Sequence, residues 1–565
     1  MIDLKEMIVS SVNKHINNNI SADDIEIPPD PNLGDYALPC FKLAKECKKS
    51  PNETAKVLMD NIQVGDYFSE IKIIGPYLNF FVSSVKLAEN ILKDVLKKKE
   101  NYGRGQEKDT TVMIESPGPN TNKPLHLGHV RNMVLGNALV NLYEFSGYDT
   151  VRVDIINDRG VHICKSMLAY KKYADNKEPD KKPDHFVGDF YVLFSKRVKQ
   201  NPELEQEIRD MLVKWENNDK KTRELWKKMN SWAIEGFKET YERFGVEMDK
   251  AYPESKHYEK GKKLVLDGLK NGLFEKDEEG NIIIDLEEKN LGKKVVLRAD
   301  GTSIYITQDL VLADLRYKDY KMDKMIYIVG NEQIYHFKVL FEIFKKLKYP
   351  FADDCYHLAY GMIYLPEGKM KSRQGKVVDA DNLADEMHKL AKIEVKKRNK
   401  NLSEKEIEKR AEQIGMSAIK FYILKYDPMK DFTYNQKESI SFEGETGPYI
   451  QYTYARIKSI LKKYKKNLSK EFNPKLLIKK QEKELIKYLS NFPETVKKST
   501  KEYKPSIISR YLLDLCQSFN NYYHIHRILS EKKELTKSRI ILIYAVSIVI
   551  KQGLNILGIE ALNEM

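Results

Sequence analysis

The sequence predicts an α/β protein in three parts. These are an N-terminal α/β module over 1–110, a parallel-sheet domain over 111–446 carrying a helical insertion at about 175–291, and a C-terminal α-helical bundle over 447–565. Three observations carry this. Strand, loop, helix and strand succeed one another between Thr111 and Ile156, which opens a parallel sheet. A charged, mostly helical stretch then interrupts the alternation, which resumes at Lys324. From Gly447 onward only helical periodicity remains.

In the first part, Ile2 to His15 reads as helix, Asp30 to Tyr36 as a turn cluster, Phe41 to Leu58 as helical, and Ile71 to Val82 as strand around Gly75-Pro76. A last helix runs to about Lys99 before a polar linker. In the second part, TVMIE from Thr111 to Glu115 is a short apolar strand. A Ser-Pro-Gly-Asn loop leads to a helix from His126 to Phe145, and Thr150 to Ile156 is the next strand. Later come Lys324 to Val329 as strand, Ile334 to Leu347 as helix and Tyr356 to Tyr364 as strand.

Composition narrows the class. At 565 residues, with 41% hydrophobic and 32% charged, the chain is globular rather than fibrous or disordered. No run approaches the ~18 apolar residues of a membrane span, and the N-terminus lacks a signal peptide's apolar core, so no membrane partner is expected. The five cysteines form no CxxC pair, which points away from zinc sites and disulfides and towards a cytoplasmic protein. The net charge is +13, and all of the excess sits after residue 446, where 23 Lys and Arg face 10 Asp and Glu. Such a surface suits a polyanion such as nucleic acid, or is simply a solvated lysine-rich face.

Two segments carry chemistry. Glu115 to His129 reads ESPGPNTNKPLHLGH, with two histidines flanking Gly128 at a helix start just after a strand. Such a helix N-terminus offers free N–H groups and a positive dipole end to phosphate. Gly128 allows close approach, and His126 and His129 can donate to phosphate oxygens. The competing view is a pair of helix-start histidines with no ligand. The second segment, Glu367 to Lys376, reads EGKMKSRQGK and packs four cations into eight residues, beside Gly368 and Gly375, after a strand. Alone it could be an ordinary basic surface loop.

Together, the HxGH motif on the first half of a Rossmann-like sheet and the Lys-Met loop after its second half resemble the class I aminoacyl-tRNA synthetases. Within that class the sequence resembles the arginyl members over nearly its whole length. The resemblance runs through Leu33 to Tyr36, Ser116 to His129, Leu297 to Thr302, Gly447 to Tyr452 and Gly553 to Gly558. It implies ATP as substrate with Mg²⁺, no tightly bound metal, tRNA(Arg) and L-arginine as partners, and a monomer. It also implies ATP-binding roles for His126, Gly128, His129, Gly330, His336, Lys369, Met370, Lys371 and Ser372.

A guanidinium presents five planar N–H donors, so its pocket needs carboxylates and amide oxygens. The resemblance puts Glu115, Asn120, Tyr305, Asp309 and Gln333 there, with Asp309 chiefly on the guanidinium. Ser372 stands where the parent motif has a lysine. Lys123 stands where arginyl enzymes compensate, so Lys123 joins His126, His129 and Lys369 as expected catalytic groups. Tyr452, Arg456 and Tyr523 match anticodon-contacting positions, while Asp35 and Tyr36 match contacts to the tRNA elbow. A small-molecule nucleotidyltransferase would not need the basic helical domain. A silent tRNA-binding paralogue would not need the intact histidines.

Overall fold

The computed structural model describes residues 4–16, 20–301, 304–364, 378–399, 401–466, 468 and 471–565. It divides into two compact units, and the chain passes between them more than once.

One unit holds residues 103–458, 493–514 and 550–565. The other, described below, contains the strands Tyr36–Pro39 (β1), Phe68–Ile74 (β2) and Tyr77–Val82 (β3). The larger unit has Thr111–Glu115 (β4), Asp149–Ile156 (β5) and Lys250–Pro253 (β6). It continues with Glu275–Lys276 (β7), Ile282–Asp285 (β8) and Lys293–Leu297 (β9), then Lys324–Gly330 (β10) and Cys355–Tyr360 (β11). Five of these make one parallel sheet in the order β11-β10-β4-β5-β6. Read outward from β4, that order reverses between β4 and β10, which is where doubly wound sheets bind ligands beyond the carboxyl ends of their strands. The sheet is packed from Met113, Val153, Tyr252, Met325 and Tyr327 against helices that include Leu310, Leu340 and Phe344. Near-continuous apolar strands of this kind are what a sheet covered on both faces requires.

The insertion departs from the sequence expectation. It is helical in Pro183–Arg197, Leu204–Glu216 and Lys220–Phe244, which pack with the preceding helix Val161–Tyr173 around Phe186, Phe190, Phe194 and Trp232, and helical again in Tyr258–Lys270. The parallel sheet takes its edge strand β6 at Lys250, well before Lys324. The strands β7 and β8 lie inside the stretch expected to be mostly helical and join β9, just past its end, in a separate antiparallel sheet. A four-residue edge strand that ends in proline shows no alternation to read. Two short strands, Ile363–Tyr364 (β12) and Phe432–Thr433 (β13), pair beyond β11.

The other unit holds residues up to Tyr102 together with 459–492 and 515–549. β1 and β2 flank β3 in an antiparallel sheet over a core of Ile8, Leu38, Leu58, Leu78 and Phe80. The helical run expected from Phe41 to Leu58 is two helices, Phe41–Cys47 and Pro51–Asn61. The break is at Lys48, which sits in the left-handed region, and at Pro51, which begins the second helix behind the Ser50 cap. The N-terminal residues join the late helices through definite contacts. The Tyr102 hydroxyl donates to the Leu489 carbonyl at 2.8 Å, and its ring stacks on Phe492. The helix Lys533–Ile556 is long and apolar enough to cross a membrane by composition, yet its apolar residues are buried within the protein.

Candidate active site

β4 ends at Glu115, and the chain turns through Ser116 to Pro124 before the helix Leu127–Phe145 begins. Asp154, on β5, holds this loop. It is 1% exposed, its Oδ1 accepts the Gly118 N–H at 2.9 Å, and its Oδ2 accepts the Tyr241 hydroxyl at 2.8 Å. Burial pushes its pKa up to about 7. A buried acid in the middle of the strand DTVRVDII was a legible signal of a structural or functional task, and sequence reasoning passed over it.

The two histidines cap the helix with each other. The His126 Nδ1 accepts the Gly128 N–H at 3.1 Å, and the His129 Nδ1 accepts the His126 N–H at 3.1 Å. The rings lie 3.9 Å apart. With each Nδ1 an acceptor, the proton of each ring stands on Nε2. Burial, with repulsion from Lys123 on both rings and from His126 on His129, lowers both pKa values, His126 to about 3 and His129 well below the usual imidazole range. The result is two neutral donors at a helix N-terminus, suited to phosphate oxygens. Gly128 has a more specific reason than ligand approach. A Cβ there would meet His126 Cε1 at 3.0 Å, so glycine makes room for the ring to fold back over its own helix.

Lys123 lines a cavity of about 170 Å³ with His126, His185, Gly188 and Asp379. Burial lowers the Lys123 pKa. The segment that returns after residue 377 runs alongside. Leu127 N–H donates to the Val378 carbonyl at 2.9 Å and Ala380 N–H to Leu125 at 3.0 Å. Lys369, Met370, Lys371 and Ser372 lie outside the described residues. Beside this join, Asp184, His185 and Asp381 stand close enough to hold a metal ion. The Lys182 ammonium, 2.7 Å from Asp381 and 3.2 Å from Asp184, already occupies the space between the two carboxylates as a cation.

The residues expected to read arginine come from both sides of the switch point, Glu115 and Asn120 from β4 and its loop, Tyr305, Asp309 and Gln333 from the helix Tyr305–Tyr320 and the turn after β10. Glu115 pairs with the Arg316 guanidinium. Asp309, two turns earlier on the helix Tyr305–Tyr320, is close enough to raise the Glu115 pKa beyond what burial does. The Asp309 carboxylate lies 2.6 Å from the His336 Nε2, so a residue expected at ATP sits against the residue expected at the guanidinium. Asn120 bridges backbone to Asn157. Gly330 ends β10 and is buried, Gln333 is exposed in the turn that follows, and Tyr305 is 79% exposed at the head of its helix. Glu254, which accepts from Gln308 at 2.7 Å and from Arg159 at 3.4 Å, is a further half-hidden carboxylate that the sequence did not single out.

Of the residues expected to touch tRNA, Tyr452 and Arg456 lie together, the guanidinium 4.8 Å from the ring centre. Tyr523 belongs to the other unit and is exposed. In that unit Tyr36 lies on β1. The Asp35 carboxylate accepts the Val82 N–H at 2.9 Å and the Lys487 ammonium at 2.8 Å, which gives it a local structural task.

A parallel sheet whose order reverses beside a phosphate-ready helix, with carboxylates gathered opposite, defines an α/β nucleotide-binding enzyme. Residues 91–436 match the family profile of class I tRNA synthetases (R), catalytic domain. Residues 450–565 match the DALR anticodon binding domain, and residues 3–82 the arginyl tRNA synthetase N-terminal domain. The arginine--tRNA ligase of Treponema denticola is 47% identical over 561 residues, covering 96% of this chain and 95% of the relative. That of Bacteroides thetaiotaomicron is 43% identical, covering 94% of each. The Thermus thermophilus arginyl-tRNA synthetase structure superposes with a TM-score of 0.86 at 25% identity, covering 100% of this chain and 99% of that one. The chain belongs to the class I arginyl-tRNA synthetase family.

Proposed function

We infer that this enzyme attaches L-arginine to tRNA(Arg) at the expense of ATP, in two steps. An oxygen of the arginine carboxylate attacks the α-phosphorus of ATP, and the bond to the leaving pyrophosphate breaks. The terminal 2′-hydroxyl of the tRNA then attacks the arginyl carbonyl, and AMP leaves. The carboxylate is itself the nucleophile, so the protein's task is positioning and charge stabilisation. His126 and His129 donate from Nε2 to the phosphates, and Lys123 supplies positive charge that grows in value as the α-phosphorus becomes pentacovalent. Glu115, Asn120, Tyr305, Asp309 and Gln333 take the arginine, and Gly330 and His336 border the nucleotide. Lys369, Met370, Lys371 and Ser372 bind the ATP phosphates. ATP enters as its magnesium complex. Tyr452, Arg456 and Tyr523 contact the tRNA at the anticodon end, and Tyr36 contacts its elbow. The enzyme works as a cytoplasmic monomer.

The observation that carries this reading is the pairing of functions across one switch point: two neutral imidazole donors at a helix N-terminus and, opposite them, two carboxylates for a cation. Aminoacylation of total tRNA with each amino acid in turn tests it. Charging by arginine alone is expected, and charging by no amino acid overturns it.

A further inference from the structure

We propose that Arg316 is a positioning residue for arginine recognition. Its buried guanidinium pairs with Glu115 at the end of β4 as a built-in counterion, which lets two carboxylates, Glu115 and Asp309, share one pocket. The proposal rests on the assignment of those two residues to the arginine pocket.

Arg316 is 1% exposed and lies seven residues after Asp309, two turns along one helix and on the same face. It is ion-paired to Glu115 and its guanidinium stands 5.2 Å from the Tyr252 ring centre. Its Nε and Nη2 nevertheless have no hydrogen-bond partner, and neither does the buried Tyr327 hydroxyl. Burying a guanidinium with N–H groups unmet costs stability, and a buried ion pair is seldom the most stable filling for a core. An apolar side chain would serve packing better, so the charge answers another need.

That need is visible in the neighbours. Glu115 is faced by Arg316 and Asp309 from the helix Tyr305–Tyr320, by Asp154 from β5 and by Tyr327 from β10. Tyr252 of β6 lies against the guanidinium. Burial drives the Glu115 pKa up, Arg316 opposes that, and Asp309 adds to it. Two carboxylates brought together without a cation share a proton. A protonated carboxyl would meet the substrate guanidinium as a weaker, neutral partner. With Arg316 in place Glu115 and Asp309 can both stay ionised towards an incoming guanidinium, Glu115 against Arg316 and Asp309 against the His336 imidazole of the helix Ile334–Lys346, 2.6 Å away.

The test uses the full-length enzyme with tRNA, measuring arginine KM, ATP KM and kcat from pH 6 to 8.5 for Arg316→Met and Arg316→Lys. Arg316→Met is expected to raise arginine KM on the order of 10-fold or more at pH 6.5. The defect should shrink as pH rises and the unpaired carboxyl loses its proton, while ATP KM stays within about 2-fold. Arg316→Lys should restore most of the loss. An arginine KM that is unchanged in Arg316→Met, or raised equally at every pH, overturns the proposal. If Arg316→Met does not fold, Glu115→Gln/Arg316→Met removes both charges together. A raised arginine KM without pH dependence then supports the proposal, and a wild-type KM overturns it. Asp309→Asn, with Arg316 intact, separates the two levels. An unchanged arginine KM there defeats the pocket assignment itself, whereas a raised one beside a pH-indifferent Arg316→Met defeats only the counterion role.

Discussion

In the proposed mechanism Asp309 and Lys123 do opposite work at the residue scale, one holding a ground-state cation and the other a developing anion. Asp309→Asn keeps shape and the approach to His336 but removes charge. Losing one member of a partly buried charged pair costs ~2–5 kcal/mol, so arginine KM should rise at least ~10-fold with ATP KM nearly unchanged, by steady-state aminoacylation. Lys123→Ala should instead slow adenylate formation by ~10²–10³, the usual cost of one transition-state donor, with both substrates still bound. Rapid-quench kinetics with tRNA present would separate these. Ser372→Ala should be far milder, since a hydroxyl brings little charge.

The histidines make a pH prediction of their own. Their folded pKa values lie below the unfolded ~6.5, so the folded state binds fewer protons and stability is lost as pH falls from about 6.5 towards 3. His126→Asn keeps a cap acceptor for the Gly128 N–H but nothing to titrate. Its melting temperature should therefore fall less than the wild type's between pH 7.5 and 5. Equal losses would mean the histidine is not held neutral. The HxGH spacing was legible as chemistry, but the reciprocal cap that fixes both tautomers was not, because it depends on how the rings fold back over Gly128.

At the scale of elements, the first-loop helix is tied down from several sides. Arg131, 1% exposed, donates to the carbonyls of Gly361, Pro428 and Lys430 and so joins that helix to the segment beyond β11. From the insertion, the helix Pro183–Arg197 reaches the other side through Gly188, where a Cβ would come within 2.6 Å of Pro124 Cδ and 3.6 Å of Lys123 Cα. Gly188→Ala must push the helix and the Pro124 ring apart, and with Pro124 the adjoining Lys123, an overpacking that costs ~1–3 kcal/mol. It should lower kcat more than it raises arginine KM, because the displaced group serves the transition state. An unchanged kcat would show that the insertion does not position Lys123. β4, β5, β10 and their helices were readable to within a residue or two because each is apolar and bounded by turn residues. β6 was not, since its partner β5 lies about a hundred residues earlier. The Glu115–Arg316 pair was hidden for the same reason: contacts between distant segments leave no local trace.

The whole molecule changes what a truncation can teach. The sequence suggested a detachable basic bundle after Thr446, but the late helices complete the larger unit. Tyr503 stacks on Tyr356 at 3.7 Å, the Thr500 hydroxyl meets Ser146 at 2.7 Å, and the nearly buried Lys420 donates to the Gly558 carbonyl at 2.7 Å. A chain ending at Thr446 removes every one of these partners and uncovers Leu139, Tyr143 and their neighbours. It should be insoluble, or melt far below the full chain, and activate no arginine. Loss of tRNA binding in it would therefore say nothing about the anticodon end. The basic surface has to be tested in the intact enzyme. If the basic surface after residue 446, where 23 Lys and Arg face 10 Asp and Glu, holds tRNA phosphates, binding releases counterions and the tRNA Kd should weaken at least ~10-fold between 50 and 200 mM salt. Arg456→Ala should weaken binding and reduce the slope of log Kd against log salt by about one, if its guanidinium holds a phosphate, whereas Tyr523→Ala should weaken binding with the slope unchanged, since a stacking ring releases no ion. Fluorescence titrations of tRNA(Arg) at four salt concentrations would distinguish these cases. A slope that neither variant moves, with affinity unaltered, would take both residues out of the tRNA interface.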